Sequence, residues 1–98
     1  MNPIGTIIRL NQEIIEDIRD LLNFYQNERQ NAQQQVEFLS QNEFLKDLSD
    51  TAGRIAYDRL CNEIYYYRER KRYIDQRIRF CTRKKNELED MNSQLAAT

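Results

Sequence analysis

Residues 57–95 read YDRLCNEIYYYRERKRYIDQRIRFCTRKKNELEDMNSQL, and stepping along them by three and four from Tyr57 gives Leu60, Ile64, Tyr67, Lys71, Ile74, Ile78, Cys81, Lys85, Leu88, Asn92 and Leu95. An apolar repeat of 3.5 residues kept up over this length marks a helix that lays one seam against another helix. At 1.5 Å per residue the seam runs for about 55–60 Å. Lys71, Lys85 and Asn92 interrupt it, and polar residues at such positions trade stability for register or choice of partner.

Upstream, Ile4, Ile7, Ile8, Ile14, Ile15, Ile18, Leu21, Leu22 and Tyr25 follow the same three- and four-residue steps. Here three columns of the heptad are apolar: 4/11/18/25/32/39 (Ile, Asn, Ile, Tyr, Ala, Leu), 7/14/21 and 8/15/22. That stripe is wider than one neighbouring helix covers. From Gln26 to Gln35 the pattern becomes polar nearly all round. Its straight-chain residues favour helix, with low-complexity disorder as the rival reading.

The punctuation fits two long helices. Pro3, Gly5 and Gly53 are the only Gly and Pro residues, and Asn2 before Pro3 resembles a helix start. Ser40-Gln41-Asn42-Glu43 matches a capping box, and Ser49-Asp50-Thr51 offers a second cap. The expected fold is therefore all-α: a single domain over 1–98, made of a helix over about 4–39, a connector with a possible short helix over about 40–53, and a helix over about 54–96. Its hairpin should be antiparallel and should assemble further into a helical bundle.

Composition narrows the function. The chain has 98 residues, 32% of them charged, with no His and no Trp. Without histidine the commonest general base is missing, and no phosphate loop, Cys-x-x-Cys or calcium-loop spacing occurs. We expect no enzyme, no catalytic residue, no cofactor and no metal. The longest apolar run, Ile64-Tyr65-Tyr66-Tyr67, is far short of the ~20 residues of a membrane span, and Met1–Leu10 does not read as a secretory signal. Cys61 and Cys81 on one helix are about 30 Å apart, too far for a disulfide, which suits a reducing, cytoplasmic setting with signal-independent export left open.

Charge is partitioned along the chain. Residues 68–85 hold nine Lys/Arg against two Asp/Glu, although the whole chain sums to −1. Folding back near residue 50 makes residues that sum to about 100 face each other, which sets Glu13, Glu16, Asp17 and Asp20 beside Arg83, Lys84 and Lys85, Glu28 near Arg72, and Glu37 near Arg59. Such pairs select register more than they stabilise. The other reading is a polyanion-binding stripe of Arg68, Arg70, Arg72, Arg77, Arg79 and Arg83, interleaved with Tyr65, Tyr66, Tyr67, Tyr73 and Phe80, making a nucleic-acid-binding hairpin.

The leading expectation is a protein–protein interaction module, a coiled-coil scaffold or adaptor subunit that binds partner helices as a homo- or hetero-oligomer. Its candidate interface is Ile7, Ile8, Ile14, Ile15, Ile18, Leu21 and Leu22 on the first helix, with Ile64, Tyr67, Ile74, Ile78 and Leu88 on the second. The length, the central glycine and Tyr65-Tyr66-Tyr67-Arg68-Glu69 also give the chain a resemblance to the small helical hairpins that carry a Trp-x-Gly turn and a Tyr-x-x-x-Asp/Glu export signal, and to their type VII secretion accessory relatives. The resemblance implies a small accessory protein or chaperone of a secretion substrate. The chain departs from that pattern in two places: the turn reads Thr51-Ala52-Gly53 without tryptophan, and Tyr65-x-x-x-Glu69 lies mid-helix.

Overall fold

A computed structural model describes residues 3–98; the cap expected at Asn2 lies outside them. Helix α1 (Pro3–Ser40) and helix α2 (Thr51–Ala96) are joined through a 3-10 turn at Glu43–Asp47, with no strand among the described residues. They run antiparallel: Asn11 meets Asn92 near one end, and Gln33 meets Lys71 nearer the reversal. The Asn11–Asn92 contact sets facing residue numbers to sum to about 103.

The polar stretch from Gln26 to Gln35 is helical, supported from α2. Ala32 is buried, Arg29 Nε donates to Asp75, Arg70 donates to Glu28 at 2.9 Å, and Lys71 donates to Gln33 at 2.8 Å. With small or polar side chains here, cross-helix hydrogen bonds stand in for apolar packing.

The reversal follows local chemistry. Ser40 Oγ donates back to the Val36 carbonyl at 2.7 Å, so Ser40 closes α1, and the capping box expected from Ser40 to Glu43 does not form. Asp50 is the cap of α2: its carboxylate accepts the Gly53 N–H at 2.8 Å, while its carbonyl accepts the Arg54 N–H at 3.1 Å. Helix α2 thus starts at Thr51, with Gly53 inside its first turn. A Cβ on Gly53 would run into the Leu48 Cβ and come within 2.6 Å of the Leu48 carbonyl oxygen. No glycine among the described residues has positive φ, so position 53 needs glycine for space and not for backbone conformation.

Contacts gather into two compact units. One pairs α1 up to Gln26 with Gln76–Thr98, and the other is Asn27–Asp75. In the second, Val36, Leu60 and Ile64 form a cluster covered by Leu39, Leu45, Tyr57 and Tyr67. Tyr67 therefore belongs to the interior, with Tyr66 edge-on to it at 5.1 Å between ring centres, while Tyr65 and Tyr66 face outward. In the first unit, Ile15 and Cys81 are buried between the helices, flanked by half-buried Ile8, Ile18, Leu22, Ile78 and Leu88.

Ile74, at 2% exposed the most buried apolar residue, tests the seam. Ile74→Ala should lower the free energy of unfolding in urea by about 2–4 kcal/mol, whereas Phe38→Ala, on the exposed side of α1, should change it by under about 0.5 kcal/mol. Gly53→Ala should cost about 1–3 kcal/mol, because the Leu48 backbone must move to admit a methyl group.

Candidate partner-helix interface

Within the unit formed by the first part of α1 and Gln76–Thr98, the seam is built from Ile8, Asn11, Ile15, Ile18, Leu22 and Tyr25 on α1 and from Ile78, Cys81, Lys85, Leu88, Asn92 and Leu95 on α2, all buried or half-buried. One layer is polar. Asn11 Nδ2 donates to Asn92 Oδ1 at 2.9 Å and approaches the Met91 sulfur at 3.3 Å, and Asn92 Nδ2 donates to the Ile8 carbonyl at 3.1 Å. A buried and a half-buried amide paired with each other, with the Met91 sulfur and with one particular carbonyl penalise slipped registers.

What lies beside the seam differs sharply between its two sides. Residues one position before each seam residue turn to one side of an antiparallel helix pair, and residues one position after turn to the other, because each step rotates about 100°. Arg19 and Glu89, each one step after a seam residue, meet at 3.7 Å and fix that handedness. On their side α1 presents Arg9, Gln12, Glu16, Arg19, Asn23 and Gln26 without one apolar residue. On the opposite side it presents Ile7, Leu10, Ile14, Asp17, Leu21 and Phe24, and α2 adds Arg77, Phe80, Lys84, Glu87, Met91 and Gln94. Ile7, Leu10, Ile14, Leu21, Phe24, Phe80 and Met91 are all 42–56% exposed.

The twelve residues expected at a partner-helix interface therefore separate. Ile8, Ile15, Ile18 and Leu22 on α1, and Ile64, Tyr67, Ile74, Ile78 and Leu88 on α2, are occupied in holding the hairpin's own helices together. Ile7, Ile14 and Leu21 remain on the open face. Leu10, Phe24, Phe80 and Met91 join them. The signal for these four is the same offset from the seam, which becomes visible once the seam columns of α1 are fixed.

The arginines do not form one surface. Arg70 donates to Glu28 at 2.9 Å, which raises its pKa above the ordinary arginine value. Arg72 pairs with Glu69 at 3.1 Å, and Arg83 pairs with Glu87 at 3.9 Å while lying over the Phe80 ring at 5.5 Å. Arg77 and Arg79 are exposed. Arg68 lines a shallow groove with Glu43, Tyr57, Cys61 and Tyr65, where a hydrogen bond with the Cys61 side chain raises the Tyr57 phenol pKa. A polyanion would thus have to displace carboxylates at Arg70, Arg72 and Arg83.

The pairing expected between the acids of α1 and the bases of α2 is corrected by the structure. Lys84 pairs with Glu87, Lys85 with Glu89, and Glu13 with Arg9, all along their own helices. The cause is position: Glu13 and Asp20 lie two steps from the seam, while Glu16, which flanks it, has Glu89 and Asn92 across from it and no base. Glu37 and Arg59, expected as a pair, form no ion pair with each other among the described residues. No helix among the described residues is long and apolar enough to cross a membrane. Comparison with protein-family models, with curated proteins and with solved structures finds no match for this chain.

The polar layer gives a test of register. Asn11→Ala leaves the Asn92 amide short of a partner and should destabilise the hairpin by about 1–3 kcal/mol. Replacing both asparagines with leucine should restore or raise the melting temperature but broaden the amide NMR spectrum, because apolar layers tolerate slipped pairings.

Proposed function

We propose that this chain is a non-enzymatic interaction module, a coiled-coil scaffold or adaptor subunit, that takes a partner helix onto the open face of Ile7, Leu10, Ile14, Leu21, Phe24, Phe80 and Met91. One observation carries the reading: apolar residues crowd one side of the seam while the α1 columns on the other side are wholly polar. Stability of the hairpin alone does not call for that asymmetry. A contiguous apolar face on a chain this small is the mark of a docking surface. Chaperoning another chain's amphipathic helix would be the same contact made transiently. Two free thiols, one of them exposed, favour an intracellular setting.

The test is a triple variant, Leu10→Ser with Ile14→Ser and Leu21→Ser, studied by light scattering and by fluorescence of an anilinonaphthalene sulfonate dye. Wild-type protein should either exceed the monomer mass of 11.9 kDa or enhance dye fluorescence, and the variant should do neither while its circular dichroism stays helical. Wild-type monomer that leaves the dye dark would overturn the reading, as would loss of helicity in the variant, which would assign these residues to folding.

A further inference from the structure

We propose that Met91 is an oxidation site, converted by a peroxide to the sulfoxide, and that this oxidation loosens the layer in which Asn11 faces Asn92. The bonding of that layer decides what the sulfur meets. Asn92 Nδ2 donates to the Ile8 carbonyl, so the Asn92 atom turned to Asn11 is its oxygen, and the Asn11 atom turned to that oxygen is Nδ2. The same Nδ2 lies 3.3 Å from the Met91 sulfur. With one of its N–H groups given to Asn92, the other is left for the sulfur, a weak acceptor. Asn11 is 8% exposed, so water does not readily replace a lost acceptor there, whereas Met91 is 46% exposed on the open side of the seam. One thioether thus meets solvent on one side and a buried amide on the other.

The step is a two-electron oxygen transfer. A sulfur lone pair attacks one oxygen of hydrogen peroxide, and the S–O bond forms as the O–O bond breaks. The departing oxygen keeps the bonding pair, takes the proton of the transferred hydroxyl and leaves as water. The thioether is oxidised and the peroxide reduced. Because the lone pair turned to Asn11 is engaged by its N–H, the oxygen is added on the exposed side. The sulfur left facing Asn11 then carries partial positive charge and no longer accepts, which strands a buried donor. Methionine sulfoxide is polar where the thioether was apolar, and enzymatic reduction restores the starting state. The layer affected is the one that sets register, so the site does not depend on what covers the open face.

The full chain is treated with hydrogen peroxide and then with dithiothreitol, which returns disulfides and sulfenic acids of Cys61 and Cys81 to thiols. Peptide mass mapping should place one added oxygen on Met91. In the oxidised chain the Asn11 side-chain amide protons, followed by NMR, should exchange with solvent about tenfold faster, the change expected when a buried donor loses one acceptor. Methionine sulfoxide reductase should reverse it. Met91→Leu given the same peroxide should show no further change, which removes Met1 and the thiols as the source. Asn11→Leu with Asn92→Leu keeps the methionine without the polar layer: oxidation should leave its urea midpoint in place while lowering that of the wild type. A Met91 that resists peroxide in the folded chain overturns the site. A Met91 sulfoxide with unchanged or slower Asn11 exchange overturns its hold on the layer, as does an equal fall in midpoint in the double-leucine chain.

Discussion

Everything in this hairpin depends on one alignment, the layer in which Asn11 faces Asn92. Shifting α2 by a single heptad would part the two amides and set Asn92 against an isoleucine, Ile4 or Ile18, leaving its polar groups without partners at a cost of about 1–3 kcal/mol per group. The reversal fixes the same alignment from the opposite end, where Asp50 holds the first turn of α2 and Gly53 lets the Leu48 backbone pass close by. Within the unit that holds the Asn11–Asn92 layer, the faces beside the seam then follow from geometry alone.

Helix α2 was legible in the sequence because it has one apolar repeat. The residues stepped off from Tyr57 to Leu95 are the ones that turn buried or half-buried. Helix α1 was ambiguous because three of its columns are apolar over the first three heptads, and propensity does not say which two meet a neighbour. The structure buries the column of Ile8, Ile15 and Leu22 with that of Asn11, Ile18 and Tyr25, and burial resumes at Ala32, Val36 and Leu39 beyond half-buried Glu28 and exposed Arg29, whereas the column of Ile7, Ile14 and Leu21 runs on into Glu28 and Gln35. Two readings failed for local reasons. Ser40 bonds backwards to Val36 before it can cap anything ahead, and the acids of the first part of α1 either lie two steps from the seam or have no base across from them.

The docking face was legible only as a surplus. A stripe too wide for one neighbour says that something else covers it, but its extent depends on knowing which columns are already used. Once they are, Leu10, Phe24, Phe80 and Met91 fall on the open side without further assumption. The basic run of α2, which reads as one stripe in the sequence, becomes several environments in three dimensions: salt-bridged beside the seam at Arg70, paired along the helix at Arg72 and Arg83, and exposed at Arg79.

The tight reversal also orders how the chain finds its shape. The cluster of Val36, Leu60 and Ile64 joins residues separated by fewer than thirty positions, whereas the Asn11–Asn92 layer spans 81. Loop-closure entropy grows with separation, so near contacts nucleate before distant ones. The hairpin closes like a zipper from Gly53 outward. Its chain ends, which carry the open face of α1, are the last part to gain structure during refolding and the first to open under load.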